Sequence, residues 1–308
     1  MYTIIGSGFG LYGYLPALVS DLNQEVVLPL AYKEKIKMRV ELAFTLSKVK
    51  WVADIDTALS IADTVIVAIV PMNQPSLVNH CLTFPNIRRF VLEKPLASSP
   101  KLALELLNQL SEEKRGYTVA YTLAHLSWQS KFIWPTQTES TVTVTWNFMA
   151  HHFANDLKNW KRSHSKGGGV LRFFGIHLIA MLSVRGYDNV HSLSLHGRIL
   201  DEPEYWEAIF TGPELSVCHV KVNSRSYNQC FNIECEGGLS LLKLTEPFAL
   251  ENSIDNLDKR LPILARVIQE LEMNSCSITS VELFERINNL WMEAEEKSKK
   301  IISSMTLP

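Results

Sequence analysis

Residues 64–70 read TVIVAIV, apolar on both faces and β-branched almost throughout. A strand with no polar face must be covered on both sides, as in the middle of a parallel sheet flanked by helices. The chain around it follows the same logic. Strand-like runs at 2–5, 25–31, 49–53, 89–92 and 117–121 alternate with helical patterns reaching Leu22 and at 33–46, 57–61, 74–82 and 100–112. This alternation predicts crossover units and an α/β fold with a parallel sheet over residues 1–122.

Beyond residue 122 the period changes. Residues 141–148, TVTVTWNF, put Val142, Val144, Trp146 and Phe148 on one face and Thr141, Thr143, Thr145 and Asn147 on the other. Residues 215–222 and 231–235 behave similarly, 239–244 add a strand, and helices are expected at 261–273 and 281–299. The pattern predicts an α+β domain over 123–308, built on an open, mostly antiparallel sheet. The polar face of that sheet could pair with a second copy of the chain, giving a homo-oligomer.

Charge narrows the partners. With 30 basic and 32 acidic side chains, neither nucleic acid nor an anionic membrane has an electrostatic reason to bind, so a small molecule is expected. No apolar run approaches the roughly 20 residues that span a bilayer. The start, YTII, lacks the basic region of a signal peptide. Cys81, Cys218, Cys230, Cys235 and Cys276 form no CxxC pair and fit reduced thiols, which points to the cytoplasm. His151, His152, His164 and His177 match no ligand spacing, and no metal is expected.

The first strand runs into Gly6-Ser7-Gly8-Phe9-Gly10 and then Leu11-Tyr12-Gly13, opening the first helix. A glycine turn in that position suits a dinucleotide: the first glycine permits the turn and the second lets backbone approach a pyrophosphate. The helix N-terminus then offers free N–H groups to it. Counted from Gly6, the third fingerprint position is Leu11; counted from Gly8, the pattern closes at Gly13. The second strand ends with Ala31 and Tyr32 where an acid would hold a ribose 2′-hydroxyl, followed by Lys33 and Lys35. Basic residues without the acid favour NADP over NAD.

Val91-Leu92-Glu93-Lys94-Pro95 ends another strand, and Gly167-Gly168-Gly169 leads into Gly175-Ile176-His177. Together with the glycine turn, these motifs resemble the family of glucose–fructose oxidoreductase and inositol dehydrogenase (Gfo/Idh/MocA), along nearly the whole chain. The resemblance implies an N-terminal Rossmann domain, a C-terminal α+β domain and a site in the crevice between them. It implies that Val70, Pro71 and Gln74 follow the strand before the nicotinamide and that Glu93 and Lys94 lie at the cofactor. Lys94 would orient or polarise the substrate oxygen, with Pro95, often preceded by a cis peptide in the family, fixing the turn. Trp160, Lys161 and Arg162 stand where members place substrate contacts, His177 is the catalytic partner of Lys94, and His125 is a further candidate substrate contact.

The chain also departs from the family pattern. An acid commonly stands four residues before the histidine and another three after it; here those positions hold Phe173 and Ala180. Tyr14 replaces a histidine frequent in the first helix. A carboxylate one helical turn away would orient the imidazole and stabilise its cation. Without it, and among Phe173, Phe174 and Ile176, the ring tends to stay neutral. Three readings remain open. One is an NADP-dependent oxidoreductase of a sugar, polyol or related carbonyl compound. The second is an imine reductase that does not need the carboxylate, and the third a non-catalytic nucleotide-binding relative.

Overall fold

The structure is a computed structural model, and it describes residues 1–129, 134, 140–235, 239–251, 257–273 and 278–302. Two compact units emerge from the packing. The first comprises Met1–Ala97, Glu105–His125 and Glu251–Val281; the second comprises Ser98–Leu104, Leu126–Leu250 and Glu282–Pro308.

The first unit is built on six parallel strands: β1 Tyr2–Ile5, β2 Val26–Pro29, β3 Val49–Val52, β4 Thr64–Val67, β5 Arg89–Leu92 and β6 Gly116–Val119, in the order β3-β2-β1-β4-β5-β6. All four residues of β4 are buried, as its apolar sequence requires. It stops at Val67, short of the expected 70, because Ala68 N–H makes the last ladder bond to Ile5 O (2.8 Å). The helix expected over 33–46 ends after one turn, Lys33–Lys37, and Val40–Lys48 winds as a tighter three-residue helix. Its buried positions are Leu42 and Thr45, three apart, which matches that tighter period.

Leu261–Met273 is a helix as expected, but it packs into the first unit and not with the later strands. Its Leu261, Leu264, Val267, Ile268 and Leu271 join the core of Tyr2, Ile4, Leu15 and Val26. Tyr2 Oη also donates to Glu272 Oε1 at 2.6 Å. A parallel sheet needs cover on both faces, and this helix supplies part of it from far along the chain. A single cut at residue 122 therefore misassigns it.

The second unit carries β7 Thr141–Met149, β8 Asn189–Gly197, β9 Tyr205–Thr211, β10 Val217–Asn223, β11 Arg225–Cys235, β12 Leu239–Leu244 and β13 Ser298–Ile302. Their order is β12-β11-β7-β10-β9-β8-β13, with the β7–β10 and β8–β13 pairs parallel and the rest antiparallel. In β7, Val142, Val144 and Trp146 are buried while Thr141, Thr143 and Thr145 stay half-exposed. The helix Ile176–Val184 is buried from Ile176 to Ser183. The closing helix, Ile278–Glu296, ends before the Lys-rich segment that becomes β13.

No helix among the described residues is long and apolar enough to cross a membrane. Cys81, Cys218, Cys230 and Cys235 are free thiols, and Cys276 lies outside the described residues.

Leu264 is fully buried in the first unit, so Leu264→Ala should cost about 2–5 kcal/mol, read as a lower denaturant midpoint at unchanged slope. Leu264→Met should cost much less. Equal midpoints for wild type and Leu264→Ala would contradict this placement of the helix.

Candidate functional site

The carboxyl edge of the parallel sheet begins with Gly6, at φ +134°, where a Cβ would lie 2.1 Å from Ala68 O. Glycine is required there twice over, by conformation and by close approach. Gly8 is the opposite case: a Cβ added to it would meet nothing within 4 Å, so its backbone faces open space. A Cβ on Gly10 would come 2.8 Å from Ile4 Cγ2 of β1, and one on Gly13 would strike the Phe9 ring at 2.5 Å. Gly10 thus performs the helix–strand packing that the third glycine of the fingerprint performs. Neither counting of the motif in the sequence identifies it.

Tyr32 and Lys35 close around this turn. Gly6 N–H donates to Tyr32 Oη (3.2 Å), and Lys35 Nζ donates to Ser7 Oγ (2.7 Å). Lys33 points elsewhere, its ammonium 5.6 Å from the centre of the Trp51 ring. The Phe9 ring packs edge-on against Tyr12 and Tyr14, and the Arg260 guanidinium lies 4.1 Å from its centre. Arg260 comes from the segment before the helix Leu261–Met273 and is gripped by Asp258 (2.7 and 2.8 Å). Nothing local in the sequence ties residue 260 to residue 9.

Glu93 and Lys94 follow β5 on the same edge. Glu93 N–H continues the ladder to Val67 O at 2.9 Å, and the Lys94–Pro95 peptide is cis. Gln74, fully buried at the head of the helix Gln74–Leu82, donates its amide to Glu93 O and Leu96 O, both at 2.9 Å. The side chain therefore clips the Glu-Lys-Pro turn from both sides. Pro71 is buried beside it and Val70 half-buried. Tyr14, in the first helix, donates to Glu93 Oε1 at 2.6 Å. Burial pushes the Glu93 carboxyl up, against the opposing pull of Lys94, the Tyr14 hydrogen bond and Arg260. Burial and the Glu93 charge push the Tyr14 hydroxyl well up, so it remains a donor. His125 belongs to this unit as well, its Nδ1 3.3 Å from Glu270 Oε1 and its carbonyl accepting from Arg266.

In the second unit the triple glycine is a packing device. A Cβ on Gly168 would sit 2.1 Å from Trp160 O, and Gly167 and Gly169 have φ of +86° and +74°. Gly168 and Gly169 N–H donate to Ser163 O and Lys161 O, both at 2.8 Å. The Trp160–Ser163 loop is thereby pressed against the wide helical turn Val170–Gly175, which leads into Ile176–Val184. His177 is 7% exposed on the first turn of that helix.

Phe173 meets Trp160 and Phe174 edge-on (5.3 and 4.7 Å), and Lys161 Nζ lies 5.4 Å from its ring centre. Trp160, Lys161 and Phe173 thus form one group. Arg162 turns inward instead: it donates to His152 O (2.7 Å) and Asp156 Oδ1 (2.9 Å) and covers the Phe153 ring. Burial first, then Lys161, Arg162 and His151, push the His152 imidazole down to about 4.

A second polar group went unread in the sequence. Arg172 grips Glu295 with two bonds (2.7 and 3.1 Å) and donates to His164 O (2.8 Å). His164 Nε2 and Trp291 Nε1 also reach the Glu295 carboxylate, both at 3.1 Å. Burial alone would raise this carboxyl, but the bonds from His164 and Arg172 hold it down at about 2. These contacts fix the helix that carries His177 to the closing helix.

No family model matches the chain, and no curated protein matches it. Solved structures do. An oxidoreductase of the Gfo/Idh/MocA family from Vibrio cholerae superposes with a TM-score of 0.66 at 13% identity, covering 96% of each chain. KijD10, a 3-ketoreductase from Actinomadura kijaniata in complex with NADP and TDP-benzene, gives 0.70 at 14% identity, over 97% of this chain and 98% of that one. A super-repressor mutant of Gal80p from Saccharomyces cerevisiae gives 0.72 at 12% identity, over 96% of each. At such identities the likeness establishes the fold that the sequence motifs implied.

Glu295 generates a pH prediction. Its carboxyl falls from an ordinary 4.5 to about 2 in the folded chain, so the stabilisation is present above about pH 4.5 and is lost as the pH drops toward 2. Glu295→Gln should cost about 3 kcal/mol near neutrality and flatten the acid limb of stability against pH, followed by denaturant titration. An identical acid limb in both proteins would refute the assignment.

Proposed function

We propose that this chain, which has the fold of the Gfo/Idh/MocA oxidoreductases, binds a nicotinamide dinucleotide at the Gly6–Gly10 turn. It would transfer hydride to or from a sugar, polyol or related carbonyl compound in the cytoplasm. The observation that carries this reading is the open backbone at Gly8, on the same sheet edge as the clipped Glu-Lys-Pro turn. Open α/β sheets bind ligands at that edge. The residues fit the cofactor: Gly8 leaves room for a pyrophosphate, and Lys35 on Ser7 supplies a cation beside it. Solved neighbours of this fold carry either dinucleotide. The preference for NADP therefore rests on this chain, where Tyr32 and Lys35 stand in place of a ribose-binding acid.

The dinucleotide supplies hydride donation or acceptance at its nicotinamide ring. Everything else falls to side chains. Lys94 polarises or protonates the substrate oxygen, Gln74 holds the turn that presents it, and Tyr14 holds Glu93. His177 takes the second proton-handling role, while Trp160 and Lys161 contact substrate. Arg162 is buried and turns one guanidinium nitrogen to His152 O and Asp156, so its share in substrate binding is the smallest of the three. Two copies of the chain pairing through the half-exposed threonine face of β7 remain part of the proposal.

A second reading is favoured by a specific observation. Phe173 packs with an aromatic and a cation, and Ala180 is fully buried, so neither acid position offers a carboxylate to His177. The fold is shared with a repressor. In that reading the chain binds nucleotide without turnover. An imine reductase, which needs no such carboxylate, is the third.

Assays with NADPH against sugars, carbonyl compounds and imines separate these readings. If turnover is found, Lys94→Ala should lower kcat by about 10²–10⁴-fold while changing NADPH affinity less than about threefold. Undiminished kcat in Lys94→Ala would remove Lys94 from its role, and NADPH binding without turnover on any substrate would favour the second reading.

A further inference from the structure

The amino edge of the same parallel sheet carries a cavity of about 710 Å³, lined among others by Asp63, Asn86, Arg88, Arg89, Lys114 and Arg115. Two dibasic pairs are brought together there by strand register. Thr64 pairs with Arg89, and Arg89 with Gly116, so the residues just before β4, β5 and β6 stand side by side. Backbone bonds lock this: Arg88 N–H donates to Asp63 O (2.8 Å) and Gly116 N–H to Arg88 O (3.0 Å).

Four cations share one cavity in a chain whose acids outnumber its bases, 32 to 30. Among the described residues Asp63 is the single acid lining it, and it already accepts from Arg89 (3.1 Å) and Thr64 (2.5 Å). The C-termini of the helices Ile55–Ile61 and Pro100–Glu112 face the same edge, and each adds about half a negative charge. Positive charge remains in excess. Arg88 and Lys114 are exposed and make no side-chain hydrogen bond or ion pair among the described residues. Arg115 spends one nitrogen on Ile87 O (2.6 Å), and its buried Nε has no acceptor among the described residues. Lys114 also occupies a left-handed conformation (φ +52°) just after the helix Pro100–Glu112, where glycine is the usual choice. The lysine is held at the rim of the cavity at a conformational cost.

We propose that this cavity is an anion site for a small phosphate-bearing molecule, distinct from the dinucleotide turn at the opposite edge of the sheet. Arg88, Lys114 and Arg115 would bind the phosphate oxygens, with arginine supplying paired donors and lysine a point charge. The cavity volume admits a phosphorylated metabolite and not merely a free ion. Binding there relieves the mutual repulsion of the cations and so stabilises the first unit by mass action.

Pyrophosphate, without divalent cations and at fixed ionic strength, is the probe. Calorimetry and thermal melting of the full chain should show saturable binding and a raised Tm. Arg88→Glu with Lys114→Glu should weaken it at least tenfold while leaving NADPH binding unchanged. Both side chains are exposed, and Arg88→Ala alone, should the double reversal not fold, is expected to weaken binding severalfold. Lys35→Ala should leave pyrophosphate binding intact. No binding at millimolar pyrophosphate, equal affinity in wild type and the double reversal, or loss of binding in Lys35→Ala would each overturn the proposal.

Discussion

The close approach of Gly6 to the carbonyl of Ala68 sets the geometry of the first unit's carboxyl edge. It exists because β4 has no polar face and is buried beside β1 at the centre of the sheet. With β1 and β4 in register, the chain leaving β1 passes over the end of β4 at a distance that no Cβ tolerates. Gly6 makes that crossing, Gly8 is left facing open space, and Gly10 settles the following helix onto Ile4. The same crossing carries that helix over the sheet edge, where Tyr14 meets Glu93 and Phe9 meets Arg260. One backbone contact thereby positions the glycine turn and the Glu-Lys-Pro turn together.

Much of this was legible in the sequence because it is written in local period and composition. The doubly apolar strand, the helices Gln74–Leu82 and Pro100–Glu112 and the alternating β7 follow from patterns a few residues long. What escaped depends on partners distant in sequence. The helix Leu261–Met273 has an ordinary amphipathic pattern that says nothing about which core it joins, and β13 reads as a continuation of a charged helix until β8 offers it an edge. The role of Gly10 emerges only once Ile4 is seen beneath it.

The candidate site divides in the same way. Lys94, Gln74 and the glycine turn were readable as motifs, whereas Tyr14 as the partner of Glu93, Arg260 over Phe9 and Glu295 beneath Arg172 were not. Tyr14 looked like the loss of a histidine, yet its hydroxyl serves a buried carboxyl. Phe173 stands where the family pattern has an acid, and Trp160, Phe174 and Lys161 pack around its ring. In the second unit the Glu295 carboxylate serves Arg172 and His164, and so joins helices. The glycine turn and the Glu-Lys-Pro turn thus share one edge of the first unit, while aromatic packing surrounds position 173 in the second.

Calorimetric titration of the full chain with NADPH and with NADH tests the central claim, that the Gly6–Gly10 turn holds a nicotinamide dinucleotide with a preference set by Lys35. Saturable binding of NADPH, at least about tenfold tighter than NADH and with the gap narrowed in Lys35→Ala, is the predicted result. Failure of both dinucleotides to bind would contradict it.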